Sequence, residues 1–219
     1  MNSAVLQLLV LAGIAVFLIL RLRSVLGTRE GFEKPEAPDR VETRRRMPEL
    51  EVIEGGPDHD ITDHVAEDSP AAKALAQMKR AEPSFSVTGF LQGARGAYEM
   101  ILMGFERGDL AEIKPFLDED VYGAFAEVVE ERERKGLKIE ATFVGVSDLS
   151  LVDATFDPET KRGDVTVRFV GEMTSVVRDK AGDIVEGSPS EIKRQKDVWT
   201  FSRAMGDRDP NWILVATDA

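Results

Sequence analysis

The chain has 219 residues, a formal net charge of −12, no cysteine and two histidines. Disulfides, thiolate chemistry and cysteine-ligated metal sites are therefore excluded. An acidic balance of this size also argues against nucleic acid as a partner, because phosphate recognition needs concentrated Lys and Arg.

Ala4–Leu20 runs for 17 residues with Gln7 as its only polar side chain. With Leu22, Val25 and Leu26 beyond it, a helix here is long enough for a hydrocarbon layer of ~30 Å. Residues 1–26 are expected to form a transmembrane anchor, with Ala4, Leu8, Leu11, Phe17 and Leu20 in the apolar layer. A cleaved signal peptide needs a basic start, and Met1–Ser3 carries no charged side chain; Ser24-Val25-Leu26-Gly27 is also a poor cleavage site. Arg21, Arg23 and Arg29 all follow the apolar run. The positive-inside rule then puts the N-terminus outside and the rest of the chain in the cytoplasm.

Residues 27–68 lack apolar periodicity and contain Pro35, Pro38, Pro48, Pro57 and the pair Gly55-Gly56. They are expected to form a flexible charged linker, since this composition buries too little surface to fold alone. Arg44-Arg45-Arg46 is followed by Glu49–Asp68, which has eight acidic residues and no Lys or Arg. The arginines suit either a solvated tether or an anionic lipid surface. Asp58-His59-Asp60-Ile61-Thr62-Asp63-His64 resembles a metal cluster only on paper. Its histidines are five apart, on different helix faces, and a metal needs converging ligands.

Ser69-Pro70 starts a short helix, expected over 69–82, because Ser caps and Pro suits the first helical position. Ala71, Leu75 and Met78 give it a thin apolar stripe. Val87–Arg107 is the clearest periodic run. Phe90, Leu91, Ala94, Ala97, Tyr98, Ile101, Leu102 and Phe105 share one helical stripe, opposite Gln92, Arg95, Glu99 and Glu106. Gly89, Gly93, Gly96 and Gly104 fall together along one flank, each costing roughly 1 kcal/mol relative to Ala. That flank predicts close approach of another backbone, either the helix near Ala71–Ala81 or the one ending at Gly136. Leucine at position 93 or 96 should then overpack.

Gly108-Asp109 ends this helix and opens the next, with Asp109 and Glu112 at capping-box spacing. A further helix begins at Asp118 and stops at Gly136. The period then becomes 2. Five strands are expected: Leu137–Phe143, Asp148–Phe156, Asp164–Val177, Glu191–Arg203 and Trp212–Thr217. Turns are expected at Asp157-Pro158 and Asp179–Gly182. Helices followed by antiparallel strands make an α+β domain over 83–219, with a curved sheet closing on the central helix. Phe90, Tyr98, Phe105, Phe143, Phe169, Trp199, Phe201 and Trp212 are its candidate core or pocket-lining aromatics.

The segments GFLQGARGAYEMILMGFERGDLAEIKPFLDEDVYGAFAEVVEERERKG, DVWTFSR and PNWILVAT together resemble the Tim44-like domain of the mitochondrial inner-membrane import motor, over about Pro83–Ala219. The chain is most similar to the bacterial, membrane-anchored (TimA-type) branch. The resemblance implies a cystatin-like fold related to nuclear-transport-factor cones. It also implies adaptor work at a bacterial inner membrane, with membrane or translocation proteins, an Hsp70-type chaperone and anionic lipid such as cardiolipin as partners. It carries over no catalytic residue and no cofactor.

Related cones host isomerases and dehydratases that use Asp, His or Tyr in an apolar pocket. Residues 65–219 contain no histidine, and Tyr98 and Tyr122 are the only tyrosines in the chain. Asp148, Asp153 and Asp197 lie in or near strands without an evident partner. No nucleophile elbow, P-loop, dinucleotide fingerprint or zinc-protease motif is present. Two readings follow: a non-enzymatic adaptor that binds protein or lipid, and a small-molecule-binding or catalytic cone.

Overall fold

The computed structural model describes residues 56–218, and the expected membrane anchor, with Arg21 and Arg23, lies outside them. Among the described residues no helix is long and apolar enough to cross a membrane.

Helix boundaries follow from local capping. Ser69 Oγ accepts from Ala72 N at 3.0 Å and starts α2 (Pro70–Ala81). Here α1 is the single turn His59–Thr62. Ser86 Oγ accepts from Gly89 N at 3.2 Å and starts α3 (Val87–Arg107). Gly108, in the left-handed region at φ 74°, ends it, and Asp109 N–H donates back to Gly104 O at 2.9 Å. Next come α4 (Leu110–Ile113), a 3-10 turn (Lys114–Phe116) and α5 (Glu119–Lys135). Asp118 caps α5 through Val121 N at 2.8 Å. Asp109 makes no side-chain cap on α4. The expected capping box is absent because α4 is one turn long and runs straight into the 3-10 turn.

The sheet has four strands, not five: β1 (Lys138–Asp157), β2 (Arg162–Arg178), β3 (Ile184–Ala204) and β4 (Ile213–Asp218). They are antiparallel neighbours in chain order. The first two expected strands are one strand, β1. Its pairing with β2 shifts at Phe143/Gly145, Val146/Asp148 and Leu151/Asp153. Each irregularity inserts a residue and flips the inside–outside alternation, so a single bulged strand reads in sequence as two. Likewise β3 begins at Ile184, and its first half is a largely exposed arm without a period-2 burial pattern.

One face of the sheet meets the helices. Val165, Val167, Phe169 and Met173 of β2 and Trp199 and Phe201 of β3 are buried there with Leu75 and Met78 of α2 and Tyr98, Ile101 and Leu102 of α3. Gly171 admits the Tyr98 ring: a Cβ at 171 would lie 2.5 Å from Tyr98 Oη. Glu106, placed on the solvated side by periodicity, instead lies beside Arg132 of α5 at 3.9 Å and is largely buried.

The expected linker does not extend to residue 68. Ile61 is buried, and Asp60 holds α1 on the domain. Its carboxylate accepts from Val87 N at 2.8 Å, Thr88 N at 2.9 Å, Ser86 Oγ at 3.0 Å and Lys79 Nζ at 3.0 Å. Burial pushes this carboxyl upward. The Thr88 N–H, the Lys79 ammonium and the Val87 N–H outweigh that and hold it well below the usual carboxylate range. The two histidines do not converge: His59 faces Asp63 at 4.0 Å, and His64 Nε2 lies 3.4 Å from Thr88 Oγ1.

Candidate functional site

The glycine flank of α3 is not covered by another backbone. A Cβ built on Gly93 or on Gly96 meets nothing within 4 Å. Only Gly104, at the far end, is in close contact, where a Cβ would lie 2.5 Å from Ile113 Cγ2 of α4. Neither of the neighbours expected from the sequence reaches Gly93 or Gly96. These glycines instead floor an open groove of about 510 Å³. That volume falls within the ~300–1,000 Å³ range of ligand sites.

The groove is built from three parts of the chain. Gly89, Phe90, Gly93, Gly96, Ala97 and Met100 come from α3. Phe85 and Phe116 come from the connections flanking the helices, and Phe201 and Trp212 from the end of the sheet. Aromatic contacts fix these walls. Phe90 and Trp212 lie 4.6 Å apart between ring centroids, Phe85 and Trp212 5.9 Å, and Phe90 meets Phe201 edge-on at 6.0 Å.

One polar corner interrupts the apolar wall. The Arg203 guanidinium pairs with Glu82, donates to Pro210 O at 3.2 Å and lies 5.4 Å from the Trp212 ring centroid. Gly206 N–H also donates to Glu82 at 2.8 Å. Arg203 holds the Glu82 carboxyl below its ordinary value, against burial. Glu82 and Arg203 are the two charged side chains of the lining, and they neutralise each other. The pairing holds Glu82 ionised, which suits binding better than proton transfer.

Of the eight aromatics singled out from sequence, Phe90, Phe201 and Trp212 line this groove. Tyr98, Phe169 and Trp199 are core residues: Tyr98 and Phe169 stack at 4.5 Å with 9° between planes, and Tyr98 lies 4.8 Å from Trp199. Phe143 flanks Tyr98 at 6.1 Å. Phe105 lies elsewhere, against Phe125 at 4.5 Å and beneath Arg132. Tyr98 Oη donates to the buried Asp197 carboxylate at 2.6 Å, and Gln195 Nε2 donates to the same group at 2.9 Å. Burial, reinforced by Asp197, pushes the Tyr98 phenol far above its ordinary value. This pair is outside the groove lining, and each Asp197 carboxylate oxygen already accepts one side-chain bond.

Sequence reasoning missed Phe85, Phe116, Met100 and the Glu82–Arg203 pair. The last joins positions 121 residues apart, which no local pattern reveals. A second cavity, about 800 Å³, lies between the C-terminal ends of α3 and α5 and the β2–β3 turn. Although larger, it is lined mainly by charged residues, among them Arg178 and Glu140, which pair at 3.2 Å on the adjacent strands β2 and β1. The apolar groove is therefore the better candidate.

A family model described as the Tim44-like domain matches residues 71–219. Its start takes in α2, which the sequence alone set apart from the domain. The mitochondrial import inner membrane translocase subunit TIM44 of Homo sapiens is 25% identical over 152 residues. Its counterpart in Rattus norvegicus is 24% identical. Each alignment covers 68% of this chain and 33% of the relative, so the chain spans about a third of the length of these relatives. Among solved structures, the intermembrane space region of chloroplast protein ARC6 matches 58% of this chain and 94% of its own, at TM-score 0.42 and 11% identity.

Proposed function

The chain belongs to the Tim44-like domain family, and on that basis we propose that it is a non-enzymatic adaptor in protein translocation or membrane-protein assembly. Its groove holds an apolar segment of a client protein. The observation that carries this reading is the open glycine floor between aromatic walls. An exposed apolar concavity is a binding surface before it is anything else. Relatives bearing the name of an import translocase subunit support the class of work. The apolar run Ala4–Leu20, followed by Arg21 and Arg23, supports a membrane location with the domain on the cytoplasmic side, and the resemblance to the membrane-anchored branch supports a bacterial inner membrane. Membrane or translocation proteins are then the partners within reach. An Hsp70-type chaperone and an anionic lipid such as cardiolipin belong to the same reading.

The test uses a photoreactive phenylalanine analogue at Ala97, in the groove, or at Arg168, an exposed position on β2. Native membrane vesicles carrying either chain are supplied with a stalled nascent chain that ends in a membrane span. The expected result is an adduct to the nascent chain from position 97 and none from 168. Equal adducts at both positions, or none at 97, refute the assignment.

A further inference from the structure

The loop that joins β3 to β4 carries one wall of the groove. Asp207–Asn211 are exposed throughout, and Trp212 at the loop's end stands against Phe90 and Phe85. Some of its bonds are internal: Asp207 N–H donates to Ala204 O at 3.3 Å, and Asn211 N–H to Asp209 Oδ1 at 2.9 Å. These shape the loop but fasten it to nothing else. Among the described residues, two hydrogen bonds tie 206–212 to groups outside Ala204–Trp212. Gly206 N–H donates to Glu82 at 2.8 Å, and Pro210 O accepts from Arg203 at 3.2 Å. Glu82 and Arg203 are bonded to each other, so both attachments pass through one ion pair.

The pair has firm footings. Glu82 closes α2, where its own N–H donates to Met78 O at 2.8 Å. Arg203 belongs to β3, and its side chain is nine-tenths buried. One terminal nitrogen reaches Glu82 and the other Pro210 O, with the guanidinium carbon 5.4 Å from the Trp212 ring centroid. Removing one partner of a buried ion pair leaves the other as an uncompensated charge, at a cost well above that of an exposed pair. Without Glu82 the guanidinium is driven toward water. Its bond to Pro210 O and its contact with the Trp212 ring are then lost together with the Gly206 attachment.

Resting on the reading of the groove as the client site, we propose that Glu82 is a positioning residue for that site. Acting through Arg203, it latches the β3–β4 loop and holds Trp212 against Phe90 as the wall on which an apolar client segment lies.

E82A tests this in the full chain, held in phosphatidylcholine nanodiscs with a tryptophan-free scaffold. The chain has two tryptophans, and Trp199 is buried, so acrylamide quenching of tryptophan emission reads Trp212. Binding is read in parallel by the anisotropy of a dansyl-labelled nonapeptide of leucine, phenylalanine and serine blocked at both ends. E82A is expected to raise quenching toward that of the urea-unfolded chain. It should also weaken peptide binding about tenfold or more, the scale of losing an aromatic anchor. E82Q keeps an uncharged acceptor for Gly206 N–H and Arg203, should fall between, and carries the comparison if E82A does not fold. Tyr98→Phe is the stability control: it lies outside the groove, and it should lower the melting temperature while leaving quenching and affinity as in the wild type. Unchanged quenching on removal of the carboxylate, or raised quenching with peptide affinity intact, overturns the role of Glu82. So does Tyr98→Phe moving both readouts as far as E82A. Gly96→Phe fills the floor and should abolish peptide binding. If it does while E82A binds as the wild type, the groove reading stands and this inference falls. If the wild type ignores the peptide, or Gly96→Phe changes nothing, the groove reading falls and takes this inference with it.

Discussion

Replacing Gly93 and Gly96 by alanine separates a packed glycine flank from an open one. Both positions lie inside α3, and neither has a positive φ. A Cβ at either position has open space around it. The backbone therefore accepts alanine without strain, and the unfolded chain loses freedom. The gain is about 0.5–1 kcal/mol at each position, or about 1–2 kcal/mol for the pair. For a chain of this size that raises the melting temperature by roughly 2–8 °C. Thermal and urea unfolding followed by circular dichroism would measure it. Gly104→Ala is the internal control on the same helix. Its Cβ would lie 2.5 Å from Ile113 Cγ2, a β-branched neighbour that cannot rotate away freely. Overpacking costs about 1–3 kcal/mol and outweighs the propensity gain, so this variant should be destabilised. Loss of stability in Gly93→Ala or Gly96→Ala, comparable to that in Gly104→Ala, would refute the open groove.

Two further outcomes are expected. Asp60→Asn should destabilise the domain by about 1–3 kcal/mol at pH 7, since charge-assisted bonds to two backbone N–H groups and to Lys79 are weakened. The folded-state pKa is depressed, so this contribution is present above the unfolded value of about 3.9 and is lost as pH falls toward the folded one. The gap between wild type and variant should stay constant from pH 7 to about pH 4.5 and close below that; a gap that widens in acid contradicts the assignment. Tyr98→Phe should cost about 1.5–3 kcal/mol, because it removes one of the two side-chain donors to a buried carboxylate. Urea titration showing no loss would mean that Asp197 does not depend on the phenol.

Much of the architecture is written in local signals. Ser69, Ser86 and Asp118 mark helix starts through side-chain caps, and Gly108 and Gly136 mark stops through positive φ. The α3 stripe and the alternation of Val165, Val167 and Phe169 identify the faces that meet in the core. What failed was set by tertiary context. The bulges of β1 break a period that only its pairing with β2 restores. The docking of α1 depends on one carboxylate among many acidic neighbours, chosen because Val87 and Thr88 present free N–H groups at the start of α3. The groove was half legible. Three of its aromatics and its glycines stand out in the sequence, but whether glycine marks contact or space is decided by what lies opposite.

That distinction bears on function. A glycine under another backbone is offset by the packing it permits, as Gly171 is by the Tyr98 ring. Gly93 and Gly96 have no such compensation within the domain, yet each lowers helix stability by roughly 1 kcal/mol relative to alanine. A local choice that conflicts with the fold and gains nothing inside it points outward, to something the fold must accommodate. Side chains at 93 and 96 would project into the floor of the space bounded by Phe90, Phe201 and Trp212. Two added methyls would stabilise the helix and make that space shallower. The two expectations are coupled: the alanine pair should melt later and bind an apolar peptide less well. A protein that gains both stability and affinity would show that these glycines are not there to keep the groove open.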